Sequence, residues 1–568
     1  MRALIRDDMT QRRKRGSNLW VTHEVDRTEG ATAQAANIAA AKSLAETVRT
    51  TLGPNGMDKM IIGSNGTVIV TNDGASILDR MDVTDPTAKM LVETAQSQNN
   101  AVGDGSTTAV TLMGALLEAA EDLLEMGVHP TTIIEGYRKA GEVALDRLQA
   151  ETIDVDPTDE AELRRIGATA VTGKWDNESA RYLSELAVRG LSEIAGGDAV
   201  DVRNMTLQSV PGGSLRDSTL LDGLSIDVGS SSTSIEVFAP HLPDTYESAT
   251  VALLDAELTI EKADAVANTT VSDPSQLRDL QSYEESVRIE AVQKLADLGV
   301  DVVFCQKSID DEIRSRLARA GILAIERTRQ DEINKLAHVT DAALERSVDA
   351  LSPATVGQAP HIERRTVGST ELVIISTAIS GAHVSFLLRG GTEHVAEETK
   401  RVLKDCIAVI QLALQGQAVV PGGGAIELSL AYHLNSYASQ VGTREQLAIE
   451  AFADALETVP ATLAASAGCD PVDTLIDLRA RHHQGEMTVG VDVTNGTLAD
   501  MRTKDVLEPL AVKQYAIRNA LEGATMILRV DDVIAAEQTT NSHGHDHDHD
   551  HDHTGLQHTE GYPWAIGH

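Results

Sequence analysis

Between Ala31 and Thr51 the chain reads ATAQAANIAAAKSLAETVRTT, with small apolar residues recurring at helical spacing between polar ones. This spacing predicts a helix, and the Gly/Pro cluster LGPNG at 52–56 stops it. Two short apolar runs, KMIIG and TVIVT, flank the turn SNG and predict a pair of strands. NDGASILDRM then reads as a turn that opens a helix, and residues 86–150 read as helical, interrupted at VGDGS and GVHP. Near residue 200 the pattern changes. NMTLQSV, TSIEVFA and ATVALLD have strand character, and VDVVFCQ and ILAIE follow helical stretches. Strand–helix alternation of this kind predicts an α/β region. After HVSFLLRGG helical periodicity returns over 393–418, 424–441 and 443–467, with a last helix near 505–524 and ATMILRVDDVIAA closing the ordered chain. The order helical, α/β, helical suggests that one domain is built from both chain ends.

Composition narrows the picture. At 568 residues the chain exceeds the roughly 250–300 residues of a single core, so several domains are expected. Aromatic residues make up only 3%, so aliphatic side chains must fill the interior. The net charge of −38 argues against nucleic acid as a partner. Arginines outnumber lysines 34 to 14, and an acidic, lysine-poor surface fits a salt-rich cytoplasm where charge repulsion is screened. Cys305, Cys406 and Cys469 stand far apart, which fits a reducing compartment and no disulfide framework. No apolar run approaches the roughly 20 residues of a membrane span, and no signal peptide is evident; a cytoplasmic location is expected. The first residues, with RRKR at 12–15, read as a disordered arm. The tail HGHDHDHDHDH reads as a solvated low-complexity segment. Its alternate histidines, His543 to His553, are able to bind zinc or nickel loosely, but no structural metal is assigned to them.

The candidate chemistry lies in four glycine loops: LGPNG (52–56), NDG (72–74), GDGST (103–107) and GGG (422–424). The last three each precede a predicted helix. Glycine lets backbone N–H groups approach a ligand closely, and a helix N-terminus attracts anions. Ser106, Thr107 and Thr108 add hydroxyl donors. Asp104, set among Gly103 and Gly105, would repel a phosphate unless a divalent cation lay between them. Magnesium, which favours carboxylate, phosphate and water oxygens, is the expected ion. Asp73 is a candidate for orienting water or a second cation, although its NDG setting also suits a helix cap.

The stretches TLGPNGMDKMI, TNDGASIL, VGDGSTTAV, VVFCQKSIDD, AGILAIER, VVPGGGAIE and VLEPLAVKQYAI closely resemble those of group II chaperonins, in consistent order from about residue 20 to 536. The resemblance implies a multidomain fold. A mainly α-helical equatorial ATPase domain would form from residues 20–160 and 416–538. A small mixed α/β intermediate domain would take 161–225 and 384–415. An α/β apical domain would cover 226–383, with TVSDPSQLRDLQSYEESV as a built-in lid. Residues 1–19 and 539–568 would flank these as disordered segments.

It also implies ATP and Mg2+ as cofactors and assigns residues to them. Leu52, Gly53 and Pro54 would approach the nucleotide, and Asp104 would ligate Mg2+. The GDGST loop from Gly103, with Gly105 to Thr108, would bind phosphates, and Lys174 would sense the γ-phosphate. Gly422, Gly423 and Gly424 would line the pocket. Glu508 would meet the ribose, and Asp492 and Val493 the adenine. Asp405 would activate the attacking water after hinge closure; Asp73, read above from its own loop, is the second catalytic candidate. The implied partners are identical or paralogous subunits in a stacked double ring and non-native client proteins, with no nucleic acid and no membrane. The implied function is ATP-driven enclosure and folding of clients. Two other classes stay open at this stage: a ring-forming subunit with weak ATPase, and a metabolic phosphotransferase. The chain departs from the pattern at Asn55, where a lysine is common, at SQNN before VGDG, and in its His/Asp tail.

Overall fold

The computed structural model describes residues 26–63, 68–194, 201–228, 241–259, 289–377 and 382–535. The arm over 1–19, the strand expected at TSIEVFA, the lid segment 270–287 and the tail 539–568 lie outside these residues.

The chain forms two units. The smaller, taken from its two ends, pairs Asp26–Glu29 antiparallel with Asp532–Ala535. The larger runs from Gln34 to Val530. Within it, the helices Pro86–Val102, Ser106–Glu125, Pro130–Ala150, Ala425–Ala438, Glu445–Ser466 and Leu510–Leu528 share one apolar core. Residues from 38–148 and from 420–528 therefore pack together. Local chemistry sets the starts of these helices. Asp85 accepts from the amides of Thr87 and Ala88, and prolines occupy the first turns at Pro86 and Pro130, where a missing N–H is harmless. Aliphatic residues fill the interior as expected. Tyr137 and Phe452 meet edge-to-face at 5.8 Å, and the Tyr137 hydroxyl donates to the Leu116 carbonyl.

A second core joins the helices Glu160–Val171, Asn177–Ile194 and Glu393–Gly416 to a three-stranded sheet of Met205–Pro211, Val384–Gly390 and Thr219–Asp222. Trp175 packs against this core half-buried, with its indole N–H unpartnered. A third region is a seven-stranded mixed sheet. Over 251–254 of its strand Thr245–Leu254, and over Val302–Cys305, both faces are apolar. Val251, Leu253, Val302 and Phe304 point into one core, and Ala252, Leu254, Val303 and Cys305 into another. Period-two alternation with helices on a buried sheet produces such runs.

Two expectations need correction. The helix placed near 505–524 begins only at Leu510 and continues to Leu528, because Leu507–Pro509 pairs instead with Val419–Pro421. The chain also forms a long hairpin over Gly357–Val367 and Thr370–Ile375, where no element was expected.

Candidate active site

A cavity of about 390 Å³ in the larger unit gathers most of the candidate residues. Leu52, Gly53, Pro54, Asp73, Asp104, Gly105, Ser106, Thr107, Thr108, Lys174, Gly423, Gly424, Asp492, Val493 and Glu508 all line it. Gly103, Gly422 and Asp405 do not. Gly103 caps the preceding helix in the left-handed conformation, and a Cβ there would lie 2.8 Å from Ala408 on the helix that carries Asp405. A Cβ on Gly422 would lie 2.8 Å from Glu508 Oε1. Asp405 sits one contact away, with its Oδ2 2.9 Å from Lys174 Nζ.

The Ser106–Glu125 helix opens onto the cavity. Its N-cap is Gly105, at φ +76°, and no side chain caps the free amides. The first turn of an α-helix leaves N–H groups without intrahelical partners, and here Ser106, Thr107 and Thr108 occupy that turn. This geometry suits an anion. Asp104 Oδ1 accepts from the amide of Gly105 at 2.7 Å, which holds the carboxylate over the helix mouth. Burial pushes the Asp104 carboxyl above the usual carboxylate range, against the opposing pull of Lys174. A cation beside it would relieve that cost. The neighbouring Gly424 is left-handed too, at φ +75°, and a Cβ there would meet Pro460 at 2.6 Å. Only glycine brings the backbone so close.

Asp73 caps the Gly74–Arg80 helix by accepting from the amide of Ser76 at 2.9 Å. The capping role and the cavity position coexist. Burial works against its charge, but Arg401 and Lys174 hold its pKa below the ordinary value. Lys174 shows the converse. Burial opposes its charge, while Asp405, Asp73 and Asp104 outweigh that and keep its pKa high.

Several contacts went unnoticed in the sequence. Lys513 lies buried between Glu427 Oε1 at 2.7 Å and Glu508 Oε2 at 2.9 Å. Lys504 binds Asp492 at 2.9 Å. Gln98 donates to the carbonyls of Asp104 and Val512, fastening the GDG loop to the last long helix. The Asn55 amide reaches the carbonyls of Ser466 and Val493, each at 3.3 Å, so the residue that departs from the usual lysine still ties its loop to the far wall. Arg401, one helical turn before Asp405, contacts Asp405 and Asp73. An i,i+4 Arg/Asp pair is visible in RVLKD, but its reach to Asp73 is not a local property.

The lysines that line the cavity, Lys174, Lys504 and Lys513, each already pair with a carboxylate. A polyphosphate entering it would therefore draw much of its neutralisation from the helix amides and from a cation brought with it. Among the described residues no cluster of three or more metal-ligating side chains exists. One carboxylate together with phosphate and water oxygens is the coordination magnesium favours, and Asp104 with the adjacent hydroxyls fits that donor set.

Comparison with known proteins identifies the family. A model of the TCP-1/cpn60 chaperonin family matches residues 44–538. The chain is 44% identical over 513 residues to a thermosome subunit of Methanopyrus kandleri, covering 90% of this chain and 93% of that protein. It is 43% identical over 516 residues to a thermosome subunit alpha of Halobacterium salinarum, covering 91% of each. It is 44% identical over 522 residues to a thermosome subunit alpha of Thermoplasma acidophilum, covering 91% of this chain and 94% of that one. With a family match across most of its length and relatives of this closeness, the chain belongs to the TCP-1/cpn60 chaperonin family, as a group II chaperonin subunit.

Proposed function

We propose that the chain is a cytoplasmic ATPase subunit of a stacked double ring that encloses non-native proteins and assists their folding, with ATP hydrolysis driving closure. The observation that carries the ATPase reading is the uncapped helix mouth at Gly105, with Asp104 above it and no unpaired lysine on the wall. In this reading the amides and hydroxyls of Ser106, Thr107 and Thr108 hold the phosphates. Asp104 would hold a Mg2+, which would supply the charge neutralisation that phosphoryl transfer needs. Gly423, Gly424, Asp492 and Val493 border the base, and Glu508 accepts from the ribose. Asp405 orients the water that attacks the γ-phosphorus. The bond to the β–γ bridging oxygen breaks, and ADP and phosphate leave. Lys174 balances charge at the γ-phosphate, and Asp73 assists as a second carboxylate.

The domain reading is part of the same proposal. The helical core drawn from 38–148 and 420–528 supports an equatorial domain from both chain ends. The core drawn from 155–215 and 384–419, joined by Leu507, supports an intermediate domain, and the mixed sheet an apical one. Asp405 lies on the Glu393–Gly416 helix of the second core, so movement of that helix would gate hydrolysis. Assembly is supported by the hairpin of Lys59–Ile62 and Val68–Thr71. Its cross-strand pairs Met60–Val70 and Ile62–Val68 present exposed apolar side chains on one face.

The test is phosphate release by full-length protein in high salt with ATP and Mg2+ and no added metabolite, together with electron microscopy of the particles. Double rings with steady turnover are expected. Asp405→Ala should lower kcat by about 100-fold or more while leaving nucleotide affinity intact. Wild-type turnover that survives this substitution would remove Asp405 from its role. Rings without turnover would favour an assembly subunit instead.

A further inference from the structure

Arg401 joins the two carboxylates assigned to catalysis. Its Nη1 stands 3.0 Å from Asp405 Oδ2 and 3.4 Å from Asp73 Oδ2. Its other nitrogens are engaged by Glu398, with Nη2 at 2.6 Å from Oε1 and Nε at 3.0 Å from Oε2. This two-point grip fixes the plane of the guanidinium against its own helix. The one nitrogen left over reaches two aspartates on separate elements. Asp73 sits at the N-cap of the Gly74–Arg80 helix, and Asp405 within the Glu393–Gly416 helix. Lys174 Nζ takes the same Oδ2 of Asp405, at 2.9 Å. Within the described residues no hydrogen bond reaches Asp405 Oδ1, so both cations hold one oxygen and leave the other for water.

We propose that Arg401 is a positioning residue for ATP hydrolysis: it sets the separation of Asp73 and Asp405 and turns Asp405 Oδ1 toward the attacking water. Glu398 completes the device by locking the guanidinium. A lysine cannot reproduce it, because a single ammonium lacks the planar fork that grips Glu398 and reaches both aspartates at once. The inference rests on the ATPase reading above. It adds that the alignment of the carboxylates, and not only their presence, limits the rate.

The experiment uses full-length Arg401→Ala, Arg401→Lys and Glu398→Gln with steady-state ATP hydrolysis and direct nucleotide binding. Arg401→Ala should lose at least about tenfold in kcat, with KM and nucleotide affinity within about twofold of wild type. Arg401→Lys should stay near the alanine variant. Methylguanidinium, added at tens of millimolar, should restore Arg401→Ala severalfold and leave wild type unchanged, a response that a merely structural ion pair would not give. Glu398→Gln should lower kcat less than Arg401→Ala does. If the alanine variant fails to fold, the lysine and Glu398 variants carry the test. A lysine variant with wild-type kcat would overturn the proposal, as would an alanine variant whose nucleotide affinity falls in step with kcat and which methylguanidinium does not rescue. Absence of turnover in wild type would instead sink the ATPase reading on which the proposal stands.

Discussion

At the scale of the residue, burial decides which charges the fold tolerates. His383 is 1% exposed, and its Nε2 lies 2.9 Å from the Thr206 hydroxyl. Burial, aided by Lys335 and His338, lowers its pKa from 6.5 to about 3. The folded state thus prefers the neutral ring, while the unfolded chain takes up a proton below pH 6.5. Stability is full above that pH and falls as the pH drops, by about 1.4 kcal/mol per unit for this one proton, until about pH 3. Denaturant midpoints measured from neutral to mildly acidic pH should show a shallower decline for His383→Asn than for wild type. Equal slopes would show that His383 does not titrate this way. None of this was legible in the sequence. GAHVSF gives no sign that its histidine is enclosed, because burial is a product of distant packing. Asp104 was legible, because a carboxylate between two glycines before a helix is a local arrangement with few chemical uses. Lys513 and Glu427 were in plain view inside VLEPLAVKQYAI and VVPGGGAIE, yet their pairing across 86 positions was not.

At the scale of the element, strong periodicity transferred well and nonlocal pairing did not. The helices read at 86–150 appear as Pro86–Val102, Ser106–Glu125 and Pro130–Ala150, broken at the two glycine-containing stretches that predicted the breaks. The start of the last long helix was misjudged because Glu508 and Pro509 belong to a strand whose partner lies near residue 420. Glycine at helix mouths is the most exacting requirement. Gly424→Ala would force a left-handed alanine, costing about 1–2 kcal/mol, and would push a methyl into Pro460 at 2.6 Å. We expect a lower thermal midpoint and an ATP KM raised severalfold, read by calorimetry and steady-state kinetics. Unchanged values in both would show that the loop relaxes without disturbing the pocket.

At the scale of the whole molecule, surface chemistry governs association. A net charge of −38 makes like subunits repel, and salt screens that repulsion. In the proposed assembly the apolar hairpin face supplies the opposing attraction, with Ile62 69% exposed and Val70 51%. Ile62→Asp should therefore leave free subunits where wild type forms rings, as read by sedimentation in high salt. Intact rings in that variant would place the subunit interface elsewhere. Among the described residues no helix is long and apolar enough to cross a membrane.

Trp175 brings a practical consequence. It follows Lys174 directly in sequence, and the only other tryptophans, Trp20 and Trp564, lie outside the described residues. Replacing those two by phenylalanine leaves a single tryptophan, beside the lysine that faces the γ-phosphate in the proposed reaction. Its emission should shift when ATP is added and relax as ADP accumulates, so that each turnover writes its own optical trace without a dye.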